Sequence, residues 1–231
     1  MATFRAVLTQ PASHGQGRYV TDSEPPLAVL AHLVLGRISM AYDWDLAAAE
    51  RELQQVTTLA PGSADGLSGE ALLFTALGRW DDALRQIRAA LAQDPMDPNS
   101  FWTLTMIQAR RGHLPEAEAA MRRALDIRST YAYGHFYLGL LLLARGDRDA
   151  PLLEMQQETS DDGQQAGLAI VYYALSRTAE SDAALARLLK EHADGDAFEI
   201  AEVFAFRRQA DDALHWLERA YVQKDAALYM V

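Results

Sequence analysis

Three stretches of the sequence combine residue types that could carry chemistry. His14–Arg18 places two glycines beside a basic residue, as a loop that cradles phosphate does. Gly66–Gly69 flanks a serine with glycines, which approaches the sharp turn that exposes a nucleophilic serine in some hydrolases. Asp194–Asp196 lies close to Glu199 and Glu202, and such carboxylates could hold a cation. The three stretches could therefore form, in this order, a phosphate-binding site, an acyl-transfer site and a metal site.

None of the three stretches has the sequence context that its chemistry requires. The first two do not follow a strand, and the third lacks the calcium-loop pattern. A Gly-Lys-Ser/Thr phosphate loop is excluded because neither lysine, Lys190 nor Lys224, follows a glycine. The six histidines lack metal-protease spacing, although His135 could be a ligand or a plain surface residue. We therefore predict that His14–Arg18 is a loop, that Gly66–Gly69 begins a helix and that Asp194–Asp196 precedes a helix N-terminus. We expect no enzyme activity, cofactor or metal.

Composition narrows the class of partner. The chain of 231 residues has a formal net charge of −11 and no cysteine. Binding to nucleic acid or to an anionic membrane depends on Lys and Arg, so we expect neither. The longest apolar runs, Leu27–Gly36 and Ala166–Ser176, are shorter than the roughly 20 residues of a membrane helix. Without disulfides or a targeting segment, the sequence indicates a cytoplasmic protein.

Small residues recur along the chain at a fixed distance. Ala49, Ala83 and Ala117 are 34 residues apart, and each begins a stretch with helical spacing of apolar side chains. Pro151, Ser181 and Ala213 continue the series at spacings of 34, 30 and 32 residues. A period of this length indicates stacked helix–turn–helix units that bury their apolar faces against their neighbours.

The repeats resemble the tetratricopeptide repeat family. The second unit carries Gly78 at the turn, then Ala83, Ile87 and Ala90 along the next helix, and Pro95 after it. This resemblance implies an all-α fold, an antiparallel helix-pair solenoid of about six repeats over residues 27–231. A Pro-, Gly- and Ser-containing arm, residues 1–26, precedes it. The resemblance also implies a non-enzymatic scaffold that binds a protein or peptide partner.

Three departures from the family pattern predict local irregularity. Leu35-Gly36 lies one residue early relative to Ala49, which predicts an extra residue in the first turn. Pro151 occupies the place of the small residue, which predicts a short helix that starts there and ends near Thr159. Arg208 stands where glycine is usual, and we expect the last turn to be irregular there.

Two further segments are similar to one group within the family. Tyr42–Glu50 and Trp216–Tyr221 resemble the repeat tails of bacterial signalling proteins, in which winged-helix regulators or class III nucleotidyl cyclases carry a C-terminal tetratricopeptide array. This resemblance implies, as an alternative function, a regulatory or sensor segment of a bacterial transcriptional regulator or cyclase. No catalytic residue is implied by it.

The family geometry also implies a binding groove. In this family the first helix of each unit lines the concave surface, which would expose a strip of aromatic residues centred on Trp102, Phe136 and Tyr137. Exposed aromatic residues often mark binding sites. Helical spacing alone also permits these rings to be core. The predicted partner-binding residues are Asn99, Trp102, Met106, Arg110, Tyr133, Phe136, Tyr137, Leu140 and Tyr173.

Overall fold

The computed structural model describes residues 27–230, and this part of the chain is helical throughout, with no strand. The predicted arm, residues 1–26, lies outside the described residues. The twelve α-helices are α1 Leu27–Ala41, α2 Leu46–Leu59, α3 Ala64–Ala76, α4 Trp80–Gln93, α5 Pro98–Arg110, α6 Leu114–Ile127, α7 Gly134–Ala144, α8 Ala150–Gln157, α9 Asp161–Ala174, α10 Thr178–His192, α11 Ala197–Phe206 and α12 Ala210–Gln223. A short 3₁₀ helix, Ala226–Met230, follows.

The helices pack as consecutive pairs. Each odd-numbered helix packs against the helix that follows it, across a turn of three to five residues. The predicted all-α fold of helix-pair repeats is therefore confirmed. None of the helices between residues 27 and 230 is both long and apolar enough to span a membrane.

The chain divides into two compact units between Gln93 and Asp94. The first unit contains α1–α4, with a core that includes Met40, Leu53 and Leu73. The second contains α5–α12 and has larger cores on α6–α7 and on α7–α12. The assignment of residues 27–231 to a single repeat domain stays a prediction.

The recurring small residues lie where the two helices of a pair meet. Ala49, Ala83 and Ala117 are fully buried, and each is the fourth residue of its helix. Ser181 occupies the same place in α10, and its hydroxyl donates a hydrogen bond of 2.7 Å to the carbonyl of Ala169 in α9. The polar atom is thereby satisfied at a buried crossing.

One residue in each turn within a pair has a left-handed backbone. This residue is Gly78 (φ 70°) between α3 and α4, and Gly112 (φ 77°) between α5 and α6. Arg208 has φ 61° in a turn of three residues, the same length as the turns that contain Gly78 and Gly112. The expected irregularity at Arg208 is therefore wrong. A non-glycine residue accepts this conformation at a cost in free energy, and the fold imposes it.

Two other expected departures are confirmed. The turn between α1 and α2, Tyr42–Asp45, has four residues where the turns before α4 and α6 have three. The helix that contains Pro151, α8, has only eight residues and ends at Gln157. Met155 of this short helix fits against glycines: a Cβ atom on Gly167 would lie 2.1 Å from its sulfur, and one on Gly139 would lie 2.6 Å from its terminal methyl carbon.

We predict opposite effects of two turn substitutions. Gly78→Ala should lower the free energy of unfolding by about 1 kcal/mol, because alanine is strained at positive φ. Arg208→Gly should raise it by a similar amount, because glycine removes that strain. Urea denaturation followed by circular dichroism measures both, and equal effects of the two substitutions would contradict this account of the turns.

Enlarging the buried alanines should weaken the fold. Ala83→Leu and Ala117→Leu each insert a side chain where two helices touch, and overpacking of this kind costs about 1–3 kcal/mol or more. Ala92→Leu, at an exposed position of α4, is the matched control and should leave the denaturation midpoint nearly unchanged.

Candidate protein-binding face

Within the second unit, the predicted binding residues lie on three first helices, α5, α7 and α9, with Tyr133 immediately before α7. Helix α9 packs against both α7 and α11. Helix α5 is linked to the segment before α7, because the Tyr131 hydroxyl donates a hydrogen bond of 3.2 Å to the Asn99 side chain. Trp102 of α5 and Tyr137 of α7 pack against the same buried cluster. The predicted binding residues on α5, α7 and α9, together with the adjoining residues of α11, form a surface that we call the inner face.

The predicted residues differ in exposure. Asn99, Arg110 and Tyr173 are exposed, whereas Trp102, Met106, Tyr133, Tyr137 and Leu140 are half-buried. Phe136 is only 1% exposed. Its ring belongs to the core, and the expectation that it forms part of an open groove centre is wrong. The phenylalanine is buried because α9 packs against α7 and closes over its position.

Phe136 supports the tyrosines beside it. Its ring centroid lies 5.3 Å from that of Tyr137 and 6.0 Å from that of Tyr133, in both cases edge to face. Such arrangements are favourable beyond simple burial. The buried ring therefore fixes two half-buried rings that retain exposed surface.

Tyr133 is held from several sides. Its backbone is left-handed, with φ 59°, and its hydroxyl donates a hydrogen bond to the Asp162 carboxylate. Its ring lies against Gly163, where an added Cβ would come within 3.0 Å. Burial, together with the nearby Glu199 and Asp162 carboxylates, raises the pKa of Tyr133, so the hydroxyl keeps its proton.

A buried carboxylate, Glu158, anchors the same region, and no pattern in the sequence pointed to it. It accepts hydrogen bonds from the backbone N–H groups of Tyr133 (3.2 Å) and Phe136 (3.0 Å) at the start of α7. It also accepts from Thr159 (2.8 Å) and Ser160 (2.9 Å) before α9. One side chain thus satisfies the otherwise unpaired N–H groups beside two helix starts.

Two carboxyl groups on α11 are poorly solvated. Burial, with smaller contributions from Asp225, Glu202 and Asp162, raises the pKa of Glu199 to about 8. Burial raises the pKa of Glu202 to about 7. Glu199 lies in the first turn of α11, as expected, but Glu202 is the sixth residue of that helix.

The aromatic strip ends at a second pair of rings. Tyr173 and Phe206 are both exposed and meet edge to face, with centroids 6.4 Å apart. The guanidinium of Arg207 lies 5.4 Å from the Tyr173 ring centre and pairs with Asp182. The packing of α9 against α11 brings Tyr173 and Phe206 into contact.

The other residues considered for chemistry, Gly66–Gly69 and His135, have structural roles. Gly66–Gly69 lies within α3, where a Cβ on Gly69 would come within 2.7 Å of Leu53. His135 is half-buried, and its Nδ1 lies 2.8 Å from a Glu154 carboxylate oxygen.

A group of possible metal ligands forms an internal ion-pair network. Asp161, Glu191 and His192 bring ligand atoms within 4.8 Å of one another. Arg187 donates hydrogen bonds to Asp161 (2.7 Å) and Glu191 (2.9 Å). The arginine already supplies the positive charge for both carboxylates.

A family comparison identifies the repeats. Residues 42–98 and 68–132 match the model of the tetratricopeptide repeat. These segments carry tetratricopeptide repeats, and the same helix-pair pattern continues to α12. A comparison with curated proteins found no significant match.

Solved structures share the fold. A thermophilic tetratricopeptide repeat protein from Thermus thermophilus is 20% identical, with a TM-score of 0.64 over 81% of this chain and 99% of that one. PilW, a widely conserved type IV pilus biogenesis factor, is 18% identical, with a TM-score of 0.63 over 76% and 82% of the two chains.

A third structure, the Cut9–Hcn1 hetero-tetramer of the APC/C, is 17% identical, with a TM-score of 0.63 over 84% of this chain and 40% of that one. These similarities show the fold alone. The closer resemblance to the tails of winged-helix regulators or cyclases stays a prediction.

The raised pKa of Glu199 predicts how stability depends on pH. The folded carboxyl retains a proton up to about pH 8, whereas its ordinary pKa is 4.5. The folded state therefore binds more protons between these values, and the free energy of unfolding falls as the pH rises through them. Glu199→Gln should reduce the fall between pH 6 and 9 by about 1 kcal/mol or more.

Urea denaturation at several pH values measures this effect. Glu218→Gln, at an exposed position of α12, is the control and should retain the full wild-type pH dependence. If both variants follow the wild-type curve, the Glu199 carboxyl is not held in its neutral form by the fold.

Proposed function

We propose that this chain is a protein-binding scaffold, and that the inner face of its second unit holds an extended peptide or a helix of a partner protein. The observation that carries the proposal is the series of half-buried and exposed aromatic rings on successive first helices: Trp102 on α5, Tyr137 on α7 and Tyr173 on α9. Tetratricopeptide folds commonly serve as interaction scaffolds, and the matched repeats support this function.

The rings are suited to binding because they are rigid before a partner arrives. Trp102 and Tyr137 each pack one side against buried residues and leave part of the ring exposed. A preordered ring loses little conformational entropy on binding, and Trp and Tyr dominate interaction hot spots for this reason. The formal charge of −11 argues against nucleic acid as the partner.

The proposed mechanism requires no covalent chemistry. Association buries the exposed parts of the rings, while Tyr133 and Asn99 offer polar groups beside them. In the proposed role, the chain therefore acts by positioning its partner rather than by transforming it.

Truncation of the rings should separate binding from folding. Peptides selected for wild-type binding from a phage-displayed random library provide the probe. Trp102→Ala and Tyr137→Ala should each weaken binding of the selected peptides by about 2 kcal/mol. Phe136→Ala, the matched core control, should instead lower the free energy of unfolding by about 3–5 kcal/mol.

Isothermal titration calorimetry measures the affinities, and urea denaturation measures the stabilities. Selected peptides that bind the two inner-face variants as tightly as the wild type would show that the binding site lies elsewhere. In that event the aromatic strip would have only a packing role.

A further inference from the structure

A group of carboxylates lies beside Tyr133 in the second unit. Asp162 on α9 is 9% exposed and accepts hydrogen bonds from the hydroxyls of Tyr133 and Ser160. Glu199 and Glu202 lie on α11, which packs against α9. Asp225, after α12, accepts a hydrogen bond of 3.0 Å from the backbone N–H of Phe198 at the start of α11.

Glu199 and Glu202 differ from Asp162 and Asp225, whose carboxylates accept hydrogen bonds from other residues of the described chain. Glu199 is 9% exposed, and no other residue in the described part of the chain donates a hydrogen bond to its carboxyl group. Among the described residues, no Lys, Arg or His forms an ion pair with Glu199, Glu202 or Asp162. An unpaired buried charge is costly, and this cost is why the folded Glu199 carboxyl keeps its proton up to about pH 8.

Helix N-terminal electrostatics explain only part of the cluster. Asp225 caps an N–H of α11, and Asp162 lies in the first turn of α9. Glu202 is the sixth residue of α11, and the helix dipole acts mainly within the first turn. Glu199 lies in the first turn of α11, where the helix dipole favours a carboxylate, so helix N-terminal electrostatics leave only Glu202 of this cluster unexplained.

We propose that Glu199 and Glu202, with Asp162 beside them, receive an arginine or lysine side chain of the partner peptide. This inference rests on the proposed function and specifies the partner as a basic segment. A cation placed beside Glu199 and Glu202 would supply the positive charge that these carboxyl groups lack as a partner. The complementarity of charge thus defines the occupant of this part of the inner face.

The aromatic neighbours favour an organic cation over a metal ion. The ring of Tyr133 contacts the Asp162 carboxylate through its hydroxyl, and Tyr137 lies 6.5 Å from Tyr133 between ring centroids. Rings of this kind attract a guanidinium or ammonium group through their negative faces. Calcium needs six to eight converging oxygen ligands, and among the described residues the carboxylates of Asp162, Glu199 and Glu202 do not form a group whose ligand atoms all lie within 4.8 Å of one another.

Binding of a cation should release protons from the two glutamates. Burial raises the pKa of Glu199 to about 8 and that of Glu202 to about 7. Asp225 and Asp162 act on Glu199 from neighbouring segments, and Glu202 acts on it from α11 itself. Tyr133 donates a hydrogen bond to Asp162, and the charges of His192 and Asp196 also interact with Asp162. Affinity for a basic peptide should therefore increase as the pH rises from about 6 to 8.5.

The test uses the full chain and a fluorescein-labelled peptide of alternating arginine and glycine. Fluorescence anisotropy should show binding of this peptide and none of the matching glutamate–glycine peptide. Glu199→Gln and Glu202→Gln should each weaken binding by about tenfold or more at pH 8. Glu218→Gln removes one exposed charge from α12 and should weaken binding less than twofold, as expected of general electrostatic attraction.

Two further measurements make the outcome decisive. The rise in affinity with pH should be reduced in Glu199→Gln, whose folding is checked by circular dichroism. Calcium chloride, at matched ionic strength with sodium chloride, should compete no better than the sodium salt. Equal losses in Glu199→Gln and Glu218→Gln, or stronger competition by calcium, would overturn the proposal in favour of general charge or a metal site.

Failure of the proposed basic specificity can be distinguished from failure of the proposed scaffold function. If library-selected peptides lose affinity in Trp102→Ala but keep it in Glu199→Gln, the scaffold function stands and the basic specificity is wrong. If neither substitution affects any selected peptide, the inner face is not the binding site.

Discussion

The structure depends on the close approach of two helix backbones within every pair. Ala49, Ala83 and Ala117 are completely buried at these crossings, and a longer side chain would separate the helices. The α-helices are too short and too polar on their outer sides to be stable alone, so packing of the paired faces supplies most of their stability. Where the small residue is Ser181, a hydrogen bond to the partner helix preserves the same approach.

The irregular middle of the second unit follows from one exception to this pattern. Pro151 starts a helix of eight residues, and Met155 on that helix fills the space that Gly139 and Gly167 leave open. The chain then turns at Glu158, whose carboxylate binds N–H groups beside the starts of α7 and α9. Tyr133 is fixed by this arrangement, so the distinctive part of the inner face is a consequence of the short helix.

The inner face combines two features that are seldom stabilising. Half-buried aromatic rings leave apolar surface in water, and the Glu199 carboxylate is buried without a cation. Both features become favourable when a partner covers the rings and supplies positive charge. The proposed scaffold that binds a basic segment would account for the two together.

The helix pairs could be predicted from the amino-acid sequence, because small residues at nearly regular spacing and a left-handed turn residue are local requirements of the repeat. The extra residue before α2 and the short α8 could also be predicted, since turn length and proline act locally. The glycine-like turn conformation of Arg208 could not, because the surrounding fold imposes that strain. Tertiary packing alone makes Phe136 core while Tyr137 keeps exposed surface, and it brings Glu158 to two helix starts. Adjacent residues on one helix have the same periodicity, and their burial depends on which neighbouring helix covers them.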